Sequence, residues 1–290
     1  MKLAWSLPAL DQLDERQLEQ VWRLAGGHPR SLEYLDALLS GGQARYPDVT
    51  TRLNTAITGR LSGTDRGQWL AARTGLDAAL AETVALAADD VLLDDLLIRL
   101  ADVPGAAGLL RGVSVYREAV DRNAVLFQAG QADPDAEQIP DRQAAYQQIT
   151  GVLAAAGITV DESLDLASVP AAVRVQLEPH VAELNRRPVP PYRAVPGLPE
   201  QVAACQAASL LTVSGDGQEP WFFVHRWTAT ELATRAARQP GQQLAGAHRQ
   251  AAAYWQWRYR VWPQDKAADV HDLLEARHHL LQAGDTEEAG

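Results

Sequence analysis

Two short stretches hold residues whose types and spacing suit ligand chemistry: Gly26-Gly27-His28-Pro29 near the start of the chain and Phe222-Phe223-Val224-His225 near its end. At the first, Gly26-Gly27 stops one helix, and Pro29, which has no amide hydrogen to lose, starts the next. An exposed helix start offers free amides and the positive end of a dipole, both suited to a nucleotide or another anion, and the proline ring offers a flat apolar surface to a purine. A plain tight junction between two helices accounts for the same residues almost as well. At the second stretch, His225 sits where a strand feeds a helix, within reach of a phosphate, and its charge changes readily near neutral pH. A purely structural boundary histidine is the alternative.

Other groupings read as structure. His271, Glu275 and His278 fall on one helical face and are potential metal ligands, yet no fourth ligand is evident, and the solvated face of the last helix accounts for them. The run Asp89-Asp90-Val91-Leu92-Leu93-Asp94-Asp95 reads as the solvated face of an amphipathic helix rather than a metal cluster. Cys205 lies in an Ala-rich helix, where a buried, inert thiol is expected. No Gly-x-Ser-x-Gly elbow and no His-Glu-x-x-His occurs. A phosphate-cradling loop needs Gly-Lys followed by Ser or Thr, but Lys2 and Lys266 are the only lysines and neither follows a glycine. The chain is therefore expected not to be an enzyme of that kind, and no catalytic residue or metal ligand is assigned.

Composition narrows the class. The 290 residues are 47% hydrophobic and 22% charged, which describes a soluble globular chain of two or three subdomains. One cysteine excludes an internal disulfide framework, no apolar run approaches membrane-spanning length, and a cytoplasmic location is expected. The net charge of −11 makes general attraction to nucleic acid or anionic lipid unfavourable.

The elements that must position these residues are mostly helical. Apolar spacing predicts helices over 14–25, from Pro29 to Gly41-Gly42 (Leu32, Leu35, Leu38, Leu39), over 48–58, and over 67–101. Further helices are expected at 106–111, 121–128, within 142–184 with breaks at Gly157 and Pro170, and at 199–209. Residues 131–141 read as a loop and Arg186–Tyr192 as a Pro-rich connector. Leu210–Val213, the turn Ser214-Gly215-Asp216-Gly217 and Trp221–Val224 form a hairpin. Three helices followed by a hairpin is the winged-helix plan, here with an insertion at about 131–196. Beyond Gly241, residues 243–262 carry two apolar faces (Leu244, Ala251, Trp255, Tyr259 and Trp262; Tyr254, Trp257 and Val261), as in a helical solenoid, and a partner helix follows to Gly284. Arg258 and Arg260 beside these aromatics allow a rival reading, stacking platforms for single-stranded nucleic acid. Asp285–Glu288 reads as the cap and first turn of another helix, so the sequence is expected to stop inside a repeat array.

The segment Val21–Leu35, reading VWRLAGGHPRSLEYL, resembles the Gly-x-Pro segment of NB-ARC-type signal-transduction ATPases, the STAND class. Leu109–Val120 resembles the opening of that family's winged helix, Phe223-Val224-His225 its closing Met-His-Asp motif, and Asp272–Asp285 the tetratricopeptide-like helices that follow. The resemblance implies that Pro29, with Gly27 beside it, packs near adenine, and that His225 contacts the phosphates of bound ADP and holds a closed resting state. Val224 replaces the family's methionine and Arg226 its aspartate.

The resulting expectation is a mostly α protein: a helical domain over 1–98, a winged-helix domain with its small β-hairpin over 99–235, and the start of an α-solenoid over 236–290. By resemblance it is the regulatory portion of a nucleotide-switched ATPase. ADP or ATP would be bound only together with a missing upstream nucleotide-binding domain, and protein partners would meet the C-terminal helices. A winged-helix transcriptional regulator and a helical interaction scaffold are the alternatives. The first needs a basic recognition helix, and Leu198–Leu210 has no arginine or lysine.

Overall fold

The computed structural model describes residues 7–40, 44–71, 78–158, 169–215, 219–238, 244–261 and 266–289. The described residues are mostly helical, with two small antiparallel strand pairs. They divide into two compact units, one formed by 1–125 and 196–247, the other by 126–195 and 248–290.

In the first unit, α1 (Glu15–Leu24) opens on a capping box in which Asp14 accepts from the Gln17 amide and the Gln17 side chain accepts from the Asp14 amide. The chain reverses at Gly26 and Gly27, with φ of +59° and +73°. A Cβ on Gly26 would stand 2.5 Å from the carbonyl oxygen of Ala81, so only glycine permits this turn to lie against the next long helix. Then come α2 (Pro29–Ser40), α3 (Tyr46–Arg60), α4 (Gly63–Ala71) and α5 (Ala78–Leu100). Leu32, Leu35 and Leu38 of α2, Val49, Leu53 and Ile57 of α3, Trp69 of α4, and Val84, Leu92, Leu93 and Leu96 of α5 are buried. The predicted stop at Gly41-Gly42 lies outside the described residues.

The aspartates of α5 form the expected solvated face only in part: Asp94 is exposed and Asp90 half-buried, while Asp95 and above all Asp89 are drawn inward. Asp89 is 1% exposed. Asp90 pairs with Arg60 and Arg235, Asp94 with Arg235, and Asp95 with Arg52. The reason is that α5 is packed on more than one side, so its acids meet the arginines of neighbouring helices.

α6 (Ala106–Ser114) begins after Gly105, and α7 (Arg122–Ala129) follows a short extended stretch at Val120. The numbering continues through α8 (Arg142–Ala155) and α9 (Ala171–Asn185), which belong to the second unit, to α10 (Leu198–Ala207), which packs on α6. The expected hairpin is present. β3 (Thr212–Ser214) and β4 (Trp221–Phe223) pair antiparallel in the register Thr212–Phe223, Val213–Phe222 and Ser214–Trp221. Val120 joins them by exchanging both backbone bonds with Phe222, at 2.9 and 2.7 Å. Asp216 and Gly217 of the predicted turn lie outside the described residues. α11 (Arg226–Arg238) starts where the sequence expects it.

In the second unit, the ends of the stretch 131–196 meet. β1 (Gln131–Ala132) pairs antiparallel with β2 (Tyr192–Arg193), and Gln138 exchanges backbone bonds with Val189, so the expected loop and connector are tied together. Beyond this neck, α8 and α9 enclose a small core of Ile149, Leu153, Val169 and Leu177. α12 (Ala245–Val261) and α13 (Lys266–Ala283) complete the unit, with Tyr254, Trp255, Trp257 and Val261 buried. Gly241 and Trp262 lie outside the described residues. Asp285–Glu288 makes turns rather than a helical start, and Asp285 is held by Arg249 at 2.7 Å.

Candidate functional site

The site candidates Gly27, Pro29 and His225 all lie in the first unit. Pro29 is exposed at the first position of α2, and Gly27 lies under the exposed indole of Trp22, where a Cβ would stand 3.2 Å from the ring. On the other side, Val224 is buried and His225 exposed, so the backbone leaves the core at His225. His225 precedes the first residue of α11, and its Nδ1 accepts from the Trp227 amide at 3.3 Å. It thus caps the helix with a side-chain acceptor.

The residue that links the two junctions is Arg30, which the sequence did not single out. Its side chain is 10% exposed. It pairs with Glu33, donates to the carbonyl of Ser209, and reaches Thr228 Oγ1 at 3.4 Å. Its guanidinium also stands 4.8 Å from the ring centroid of Tyr34, whose hydroxyl is 2.6 Å from that of Thr228. α2 is therefore fastened to α11 one turn inside both candidate junctions.

Electrostatics ties the junctions as well. Partial burial lowers the His225 pKa from its usual value, the Arg30 and His28 charges lower it further, and Glu33 opposes them. Beneath the Gly-His-Pro turn, Asp89 Oδ1 accepts from the Ser31 hydroxyl at 2.5 Å, and its Oδ2 lies 3.6 Å from His28 Nδ1. Burial raises the Asp89 pKa, while the Ser31 hydrogen bond and the charges of His28 and Arg30 pull it down. The sequence carried a signal for Asp89: it lies four residues after Ala85 and three before Leu92, on the stripe that α5 buries.

Chemically, the assembly combines exposed Pro29 and His225 with a buried Arg30 and the deeply buried carboxylate of Asp89. Arg30 is already engaged by Glu33, Ser209 and Thr228, so what the surface leaves open to a ligand is the exposed His225 imidazole and the Pro29 ring.

The remaining candidates fall elsewhere. Cys205 is buried, its thiol donates to the Ala106 carbonyl at 3.5 Å, and burial pushes its pKa up to about 12. His271, Glu275 and His278 are not brought into a metal-binding group, and among the described residues no three His, Cys, Asp or Glu side chains are so placed. The stacking-platform reading of α12 meets a difficulty: Tyr254, Trp255 and Trp257 are inside the unit, Arg258 is bonded to Asp272 at 2.9 Å, and Arg260 to Glu137 at 2.8 Å. No helix among the described residues is long and apolar enough to cross a membrane.

No protein-family model matches the chain, and neither the comparison with curated proteins nor that with solved structures gives a match.

Proposed function

We propose that this chain is the regulatory portion of a nucleotide-switched ATPase of the STAND class, in which a helical domain and a winged helix clasp ADP held by a preceding nucleotide-binding domain. In this reading α6, the Val120 stretch, α7, α10 and the β3–β4 pair are the winged helix, α12 and α13 begin a solenoid that receives the signal, and the chain itself does not hydrolyse nucleotide. Pro29 meets the adenine and His225 the phosphates. The observation that carries the reading is the convergence of the two junctions around Arg30, although Pro29 and His225 are separated by most of the chain.

The test is titration of the 290-residue protein with ADP, followed by the NMR signals of the His225 ring and the Gly27 amide. Because the phosphate-holding loop is absent from this sequence, a dissociation constant above about 1 mM is expected, with shifts confined to the two junctions. Micromolar affinity, or shifts that leave both junctions untouched, would refute the assignment.

A further inference from the structure

A cavity of about 310 Å³ opens in the second unit, between the end of α7, the β2 strand and α12. Phe127, Tyr192 and Trp257 are among the residues that line it, with Pro191 beside them. The rings form one packed group, Phe127 lying 4.6 Å from Tyr192 and 5.7 Å from Trp257 between centroids. Each polar ring is also fixed from behind. Trp257 donates its indole N–H to Glu137 at 3.1 Å, and Tyr192 donates its hydroxyl to Gln250 at 3.2 Å. A wall held in this way does not have to be ordered by a ligand, so little binding energy is spent on fixing it.

Two polar residues line the same space, Gln256 and Arg260. Arg260 is largely exposed and gives one nitrogen to Glu137 at 2.8 Å. That bond uses one of the five donors that a guanidinium carries, and no other partner engages it among the described residues. A packed aromatic lining with a largely exposed arginine beside it matches an apolar, planar molecule carrying a carboxylate, since a guanidinium pairs with carboxylates through parallel N–H bonds. The volume falls at the lower end of the range for small-molecule sites, a scale that suits a ligand of one or two fused rings.

We propose that this cavity binds a small planar aromatic acid, with the ring system against Tyr192 and Trp257 and the carboxylate on Arg260. The site is separate from the Pro29 and His225 junctions and stands whether or not the nucleotide reading holds.

Isothermal titration of the whole protein with indole-3-acetate, neutral indole and cationic tryptamine tests it. Indole-3-acetate is expected to bind saturably and at least about tenfold more tightly than the other two, the effect of one charge-assisted pair. Arg260→Gln, an exposed change, should abolish that preference without altering the melting temperature. Ala253→Leu, which fills the cavity from α12 with a good helix former, should remove binding altogether. Equal affinity for the three probes, tighter binding of tryptamine, no saturable binding of any probe, or an acid affinity unchanged in Arg260→Gln or Ala253→Leu would overturn the proposal.

Discussion

The hydroxyls of Tyr34 and Thr228 lie 2.6 Å apart in the buried interior of the first unit, joining α2 to α11 across 194 residues of sequence. Pro29 begins the first of these helices and His225 directly precedes the second, so this bond acts together with Arg30 in tying the two candidate junctions to one another.

Removing either hydroxyl leaves the other buried without that partner. Tyr34→Phe and Thr228→Val are each expected to lower the unfolding free energy by about 1–3 kcal/mol, and the double variant to lose less than the sum. Urea unfolding of the four proteins gives the coupling directly. If the single effects simply add, the hydroxyls do not act as a pair.

Asp89 makes a sharper case, because its carboxylate is buried and its pKa is raised, chiefly by that burial. A raised folded-state pKa means that the folded protein binds the proton more tightly than the unfolded chain. The group therefore favours folding at low pH, and the advantage is lost as pH rises from the usual 3.8 through the higher folded value. Asp89→Asn keeps the acceptor for Ser31 and removes the buried charge, so at pH 7 it should be neutral or stabilising. Asp89→Ala strands the Ser31 hydroxyl and should cost about 1–3 kcal/mol. Thermal melts at pH 5 and pH 8 separate the two. If Asp89→Asn is as damaging as Asp89→Ala, the charge pairing with His28 and Arg30 outweighs the burial.

In the second unit, His248 Nδ1 and His279 Nδ1 are 3.0 Å apart, and burial together with the neighbouring His278 lowers the His248 pKa to about 4. Only one of the two nitrogens can carry the shared proton. With the folded pKa below the ordinary 6.5, the stability due to the neutral ring is complete above pH 6.5 and is lost as pH falls toward 4. Full desolvation would make this about 3 kcal/mol; with the ring partly exposed to solvent, about 1–2 kcal/mol is expected. NMR titration should place the His248 midpoint near 4, and His248→Gln should flatten the pH dependence between 6.5 and 4. A midpoint near 6.5 would refute this.

Many of the helices were legible in the sequence because leucine and valine spacing, together with Gly26, Gly27 and Pro29, marks where helices stop and start. α2 begins at Pro29 as expected, and α11 follows His225. What escaped is contact between distant segments. All four aspartates of α5 read as solvent-facing because a one-dimensional pattern shows polarity, whereas Asp89 is buried and the arginine partners of the other three come from α3 and α11. Arg30 drew no notice for the same reason: Ser209 and Thr228 are its partners only after folding. The pairing of Gln138 with Val189 was also invisible, since neither stretch has strand composition.

At His225 an observed cap and a proposed ligand contact can be separated by experiment. As the residue before α11 it accepts from the Trp227 amide, and a cap of this kind is worth about 0.5–2 kcal/mol. His225→Ala should therefore destabilise the 290-residue protein by that amount, while His225→Asn, whose side chain also caps, should restore most of it. If His225 also holds ADP in a closed state with a nucleotide-binding domain, both variants lose the imidazole that meets the phosphate. In the protein containing that domain, each should then release ADP about tenfold to a hundredfold faster, the equivalent of a charge-assisted bond of about 1.5–3 kcal/mol made only in the closed form. The cap alone predicts a different pattern, with His225→Ala melting earlier and both variants retaining ADP at the wild-type rate. Measuring ADP off-rates and melting temperatures on the three proteins decides between them, because His225→Asn keeps the fold in place while the contact is removed.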